Sequence, residues 1–301
     1  MYSQKRVNFE VITIGNELLT GRTLNTNMRY LAKTVTDLGG NVVRATTVGD
    51  YVKDISSAVN DALSRKTDFL IMCGGLGPTF DDRTLEALSD AVSSPLELNE
   101  LALEYMKMHY RDRQEGHKYE EFEPMPSRLK MVSLPRDATP LQNPVGSASG
   151  VYMKHREMNI VALPGVPREM EAIFERSVSP LISDLVGNLF RREGSLKVIG
   201  VGESKVAPLI DKVMREYSEV YIKSHPRPGP GPVLEINFST ISESDEMAKN
   251  AVKRSMAKLS SLLIRHRAKV ESMADQNFDQ QPQIQGRASR SQEPYNSSSQ
   301  P

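Results

Sequence analysis

A single cysteine, no charge imbalance and no long apolar run: each shortage in this 301-residue chain closes off a class of protein. A single cysteine, Cys73, excludes an internal disulfide, and its position at the end of an apolar run suits a small buried side chain. The 38 basic and 38 acidic residues cancel. Bulk charge therefore draws the chain neither to nucleic acid nor to a membrane surface. No apolar stretch approaches the roughly 20 residues that span a bilayer. Met1–Arg6 leads into a short strand pattern rather than a signal-peptide core. These absences predict a soluble, cytoplasmic protein. His109, His117, His155, His225 and His266 share no ligand spacing with one another or with Cys73, which argues against zinc. No internal repeat is visible.

What is present is an alternation of strands and helices. Phe9–Ile14 reads as a strand ending at Gly15, Thr26–Leu38 as a helix stopped by Gly39-Gly40, and Asn41–Val48 as a second strand closed by Gly49-Asp50. Val52–Leu63 follows as a crossover helix and Phe69–Cys73 as a fully buried strand. Strands separated by such helices predict a three-layer α/β domain, a parallel sheet with helices on both faces. Ligands of these sheets bind at the carboxyl ends of the strands. Asn16-Glu17, Asp50 and Asp81-Asp82 would therefore meet on one rim.

The most informative joint is Gly74-Gly75-Leu76-Gly77-Pro78-Thr79-Phe80-Asp81-Asp82, directly after the buried strand. Gly74, Gly75 and Gly77 suit phosphate binding by backbone N–H groups, and equally a tight turn. A helix starting near Asp82 would add its positive end. Carboxylates beside a phosphate repel it unless a divalent cation bridges them, which points to Mg²⁺, Mn²⁺ or Co²⁺ held by Asp81 and Asp82. The plainer reading makes Asp82 the N-cap of the next helix, Asp81 a turn residue and Asp50 another cap. Glu17 is either a base positioning water or a first-turn helix charge.

Further along, Leu101–Arg113 reads as a helix and Gln114–Arg128 as an exposed, proline-broken excursion. Asn143–Gly150 is a polar loop of small residues, in which Asn143 and Ser147 are candidates for hydrogen bonds to a ribose or base. A hairpin, Val151–Lys154 with Asn159–Leu163, precedes a helix opened by Pro167. Glu169 in that first turn faces either the site or the helix dipole. Residues 1–188 form the expected first domain. Residues 189–267 follow as a small βαββα unit, with a stiff loop at Pro226–Pro232. Residues 268–301 carry almost no large apolar side chain and are expected to be disordered.

Gly15–Gly21, Asn25–Asn27, Thr47–Asp50, Gly74–Asp82, Asn143–Gly146 and Leu163–Met170 stand in the order found in the CinA family. The chain from about residue 8 to 265 resembles that family's nucleotide-utilising half. Its first domain is similar to the MoaB/MogA molybdopterin-binding domain, and Gly200–Ser204 with Tyr221–Pro226 resemble the small, KH-like domain that follows. That small domain has no Gly-x-x-Gly segment, so binding of nucleic acid is not expected. The nicotinamide mononucleotide deamidase domain of many relatives is also absent from the expected architecture. The resemblance implies a metal-dependent pyrophosphatase that cleaves ADP-ribose to AMP and ribose 5-phosphate. The alternatives are a molybdopterin adenylyltransferase-like enzyme or a non-catalytic nucleotide-binding protein. It assigns catalysis to Glu17, Asp50 and Asp82, and the metal to Asp81 and Asp82. Substrate contacts fall to Asn16, Gly74, Gly75, Gly77, Asn143, Gly146, Ser147 and Glu169. The partners implied are a small nucleotide substrate and, as in relatives, further copies of the chain.

Overall fold

The computed structural model describes residues 6–112, 123–187, 189–229 and 231–273. The chain divides into two compact units: one runs up to Arg191 and includes Ile241–Ala248, and the other comprises Arg192–Thr240 and the chain from Lys249 onward. Among the described residues no helix is long and apolar enough to cross a membrane.

In the first unit β1 (Asn8–Ile14) is followed by a one-turn helix α1 (Asn16–Leu19), α2 (Thr26–Asp37), β2 (Asn41–Val48), α3 (Val52–Ser64), β3 (Phe69–Cys73) and α4 (Thr84–Val92). After β4 (Leu96–Leu98) come α5 (Glu100–Asp112), α6 (Pro126–Met131), β5 (Ser133–Pro135) and β6 (Thr139–Leu141). The hairpin β7 (Gly150–His155) and β8 (Met158–Leu163) leads into α7 (Pro167–Ile173), a π-helical turn (Phe174–Val178) and α8 (Ser179–Val186). The main sheet runs β2-β1-β3-β8-β7-β6. Its first four strands are parallel, and β7 and β6 are antiparallel additions.

Side-chain alternation in the central strands builds the two outer layers. Phe9 and Val11 of β1, Phe69, Ile71 and Cys73 of β3, and Val161 and Leu163 of β8 face α2, α7, the π-turn and α8. Ile12, Ile14, Leu70, Met72, Ile160 and Ala162 face α3, α4 and α5. Phe9 and Phe69 stack across β1 and β3 with ring centroids 5.1 Å apart. Because β1 leads to β2 on one side and, through β2 and α3, to β3 on the other, the winding direction changes at β1/β3. That is the topological switch point at which α/β sheets open a crevice.

Glu10 breaks the apolar pattern of β1 and is only 2% exposed. Arg65 clasps it through Nε at 2.8 Å and Nη2 at 2.7 Å, and the Thr67 hydroxyl donates at 2.5 Å.

β9 (Phe190–Ile199), α9 (Glu203–Glu216), β10 (Tyr221–Arg227), β11 (Val233–Ser242) and α10 (Asp245–Arg265), most of whose residues fall in the second unit, reproduce the βαββα order. Two details correct the sequence expectation. β10 runs through Pro226 to Arg227, which shortens the proline loop. The stretch expected to be disordered from residue 268 begins instead with an ordered strand, β12 (Lys269–Met273), paired antiparallel to β9. Val270 packs on the apolar core of the unit, which supplies the burial that composition had failed to reveal. With β12 the sheet order is β10-β11-β9-β12 and the chain order βαββαβ, the split βαβ arrangement. Residues 274–301 lie outside the described residues. So do residue 113 of the expected helix and 114–122 of the expected excursion, whose last part is helical because Pro126 starts α6.

Candidate functional site

A cleft of about 420 Å³ opens at the carboxyl ends of β1, β3 and β8, where the topology places it. Ile14-Gly15, Gly74-Gly75 and Pro164–Val166 form its floor, each continuing one of the three adjacent strands. Gly74 is indispensable to this junction. Its φ is +114°, and a Cβ there would sit 2.3 Å from the Ile14 carbonyl oxygen.

The expected acidic rim assembles. Glu17, Asp50, Asp81 and Asp82 all line the cleft. The Asn16 N–H donates to Asp50 at 2.8 Å, tying the start of α1 to the end of β2. Burial pushes the Asp50 carboxyl up from its ordinary range. The Asn16 bond opposes this, and the negative charges of Glu17, Asp81 and Asp82 add to the rise. Asp81 is held below the ordinary carboxylate range, first by the Thr79 hydroxyl and then by its own N–H, with Lys130 contributing positive charge.

Asp82 is not the N-cap of α4, which begins at Thr84 with Arg83 in the cap position. It closes the glycine loop instead: Oδ2 accepts from the Thr79 N–H at 2.9 Å and from the Thr79 hydroxyl at 2.6 Å. Asp81 rests on the same hydroxyl. One hydroxyl carries one proton, so it can donate to only one of the two carboxylates at a time. The Thr79 N–H gives Asp82 a second donor, and Asp81 has its own N–H and the positive charge of Lys130 nearby. Among the described residues no group of three or more His, Cys, Asp or Glu side chains could hold a metal ion. Asp81 and Asp82 are the adjacent carboxylates that could contribute to a cation's shell, and such a shell would need water or substrate phosphate to complete it.

The glycines divide by task. Gly74 spends its N–H on the Leu163 carbonyl at 2.9 Å, extending the sheet, so it cannot offer that group to a phosphate. The N–H groups of Gly75 and Gly77 make no hydrogen bond within the described chain and line the cleft. Asn16, Asn143 and Gly146 are not among the lining residues. Asn143, 7% exposed, has its whole amide engaged: it accepts from Val145 and Gly146 and donates to the Ala148 carbonyl and to Glu169. It organises the loop and Glu169 rather than meeting a ligand. The Gly146 N–H is consumed in that turn. Ser147 and Glu169 do line the cleft.

Several contributors escaped the sequence reading. Thr79 is the hinge of the acidic loop; the Thr-x-Asp-Asp spacing, typical of local side-chain turns, was its available signal. Lys130 of α6 donates to the Thr79 carbonyl, and Met131 forms part of the wall. Asn27 bridges to the Gly165 carbonyl at 2.8 Å and to the Cys73 sulfur at 3.2 Å, linking α2 to the floor. Cys73 is buried in the apolar core, where burial pushes its thiol up to about 12, the setting of a packing group.

Residues 10–184, which contain every part of this cleft, match the family model described as "Probable molybdopterin binding domain". A protein of Caldivirga maquilingensis is 42% identical over 252 residues, covering 83% of this chain and 94% of its own length. Protein SSO0103 of Saccharolobus solfataricus is 37% identical over 247 residues, covering 81% and 88%. The crystal structure of the protein CinA, of unknown function, from Thermoplasma acidophilum is similar with a TM-score of 0.52 and 37% identity. It spans 58% of this chain and 98% of that one. The cleft, its strand-end floor and its acidic glycine loop thus lie inside the matched region, and the chain belongs to the probable molybdopterin-binding domain family.

Proposed function

We propose that the cleft binds a phosphorylated pterin together with a nucleotide and promotes transfer between their phosphates, as a molybdopterin adenylyltransferase-like enzyme. The observation that carries this reading is the pairing of free N–H groups at Gly75 and Gly77 with the Asp81/Asp82 loop inside the matched region. The two N–H groups bind phosphate oxygens, while the apolar surfaces of Leu76, Pro78, Met131 and Val166 accept a flat ring. A divalent cation at Asp81 and Asp82, with Asp50 beside them, would neutralise charge building on phosphate oxygens. Glu17, exposed and with a carboxylate that makes no hydrogen bond among the described residues, would accept a proton at the rim.

The test is release of pyrophosphate from ATP with Mg²⁺ and molybdopterin. The reading expects release that requires the pterin. Release without pterin, or none in folded protein with any of Mg²⁺, Mn²⁺ and Co²⁺, would contradict it. ADP-ribose cleavage, the reading that the CinA resemblance implies, would show itself in a parallel incubation as AMP formed from ADP-ribose alone.

A further inference from the structure

Glu169 stands apart from the other carboxylates of the cleft. The rim acids follow β1, β2 and β3, whereas Glu169 follows β8 and is held by the loop that leads into β7. With neighbouring strands about 4.8 Å apart, two strand spacings put it about 10 Å along the sheet from the end of β1. Its setting is built. The buried Asn143 amide donates to Oε2 at 2.6 Å, and a Cβ on Gly146 would fall 2.2 Å from the Glu169 carboxyl carbon, so the loop leaves room for the carboxylate. Oε1 has no hydrogen-bond partner among the described residues, and the hydroxyl of Ser147, which lines the same cleft, has none either. No Lys, Arg or His lines the cleft. A half-buried acceptor fixed by its neighbours and lacking a counter-charge is matched by a ligand rich in N–H donors.

We propose that Glu169, oriented by Asn143, reads the paired N–H donors of a 2-amino-4-oxo heterocycle, the edge shared by pterins and guanine, and disfavours adenine at the pterin position, not at the position of the nucleotide. This deepens the reading above and rests on it for the location of the site. In such a ring the ring N–H and the adjacent exocyclic amine point the same way, which matches a carboxylate. Oε2 keeps a second lone pair for this after accepting from Asn143. Adenine offers one donor beside a ring nitrogen whose lone pair would face a carboxylate oxygen. A site built to satisfy donors discriminates strongly against a ligand that lacks them.

The experiment is equilibrium binding of GMP, IMP and AMP, all with Mg²⁺, and of neopterin, to wild type, Glu169→Gln and Asp82→Asn. The three nucleotides share one sugar and phosphate, so their ratios isolate the ring. Glu169→Gln retains an acceptor for Asn143, so its melting temperature should hold while GMP and neopterin weaken by on the order of 10-fold or more and AMP by less than about 3-fold, with IMP between. Asp82→Asn should weaken all three nucleotides together and leave their ratios unchanged. Binding of GMP and neopterin that Glu169→Gln leaves unchanged, equal effects of that substitution on GMP and AMP, or no binding of GMP and neopterin alike would overturn the proposal. Pterin-dependent pyrophosphate release together with any of these outcomes would remove this inference and leave the proposed function standing. The reverse pattern would do the opposite.

Discussion

At the scale of single residues, function and stability separate cleanly enough to be tested by conservative substitution. Asp82→Asn keeps an oxygen to accept from the Thr79 N–H, so the loop should close as before. It removes a charge from the rim, and turnover should fall on the order of 100-fold with little change in melting temperature. Wild-type turnover in that variant would mean that the charge at Asp82 is not used. Glu10 provides the contrast, since it lies outside the cleft lining and acts on stability. Burial alone would raise its pKa, but hydrogen bonds from Arg65 and Thr67 and the charges of Arg65 and Arg44 outweigh it and leave the folded value lowered. A carboxyl depressed in the folded state stabilises above its unfolded pKa and loses that contribution as pH falls through the folded value. Glu10→Gln should therefore cost about 2 kcal/mol near neutral pH and flatten the acid limb of the stability profile below the ordinary carboxylate range. An unchanged acid limb would show that the pair is not coupled to folding. The acids and glycines of the site were legible because each follows a strand end. The task of Asn143 was not, because its partner Glu169 lies 26 residues on. Lys130 stayed hidden for the same reason, 51 residues from Thr79.

At the scale of elements, legibility followed burial. β1 and β3 are buried on both faces and each ends at a glycine, so their extents were readable within a residue. The first half of β9, Phe190-Arg191-Arg192-Glu193, carries no such pattern, and β12 is mostly polar. Such strands are specified by the partner they pair with, not by their own hydrophobicity. β12 now yields a prediction opposite to that of a disordered tail. Its amides should be protected from hydrogen exchange by pairing with β9, and Val270→Asp should destabilise the second unit by on the order of 1–3 kcal/mol. Free exchange over Lys269–Met273, or a silent Val270→Asp, would contradict the strand.

At the scale of the whole molecule, the first unit carries the cleft and the second contributes a separate apolar core to the chain. The overall charge balance hides a strong local imbalance. Five carboxylates line the cleft and no basic side chain does. Attraction of a triphosphate therefore cannot come from lysine or arginine of the lining, and N–H groups alone face the repulsion of the rim. The central claim is that phosphate enters this cleft only with a divalent cation. Calorimetric titration of the wild-type chain with ATP, once with Mg²⁺ and once with EDTA, tests it most directly. The account predicts binding with Mg²⁺ and a loss of affinity on the order of 100-fold or more in EDTA. Equal affinity in the two titrations would contradict it.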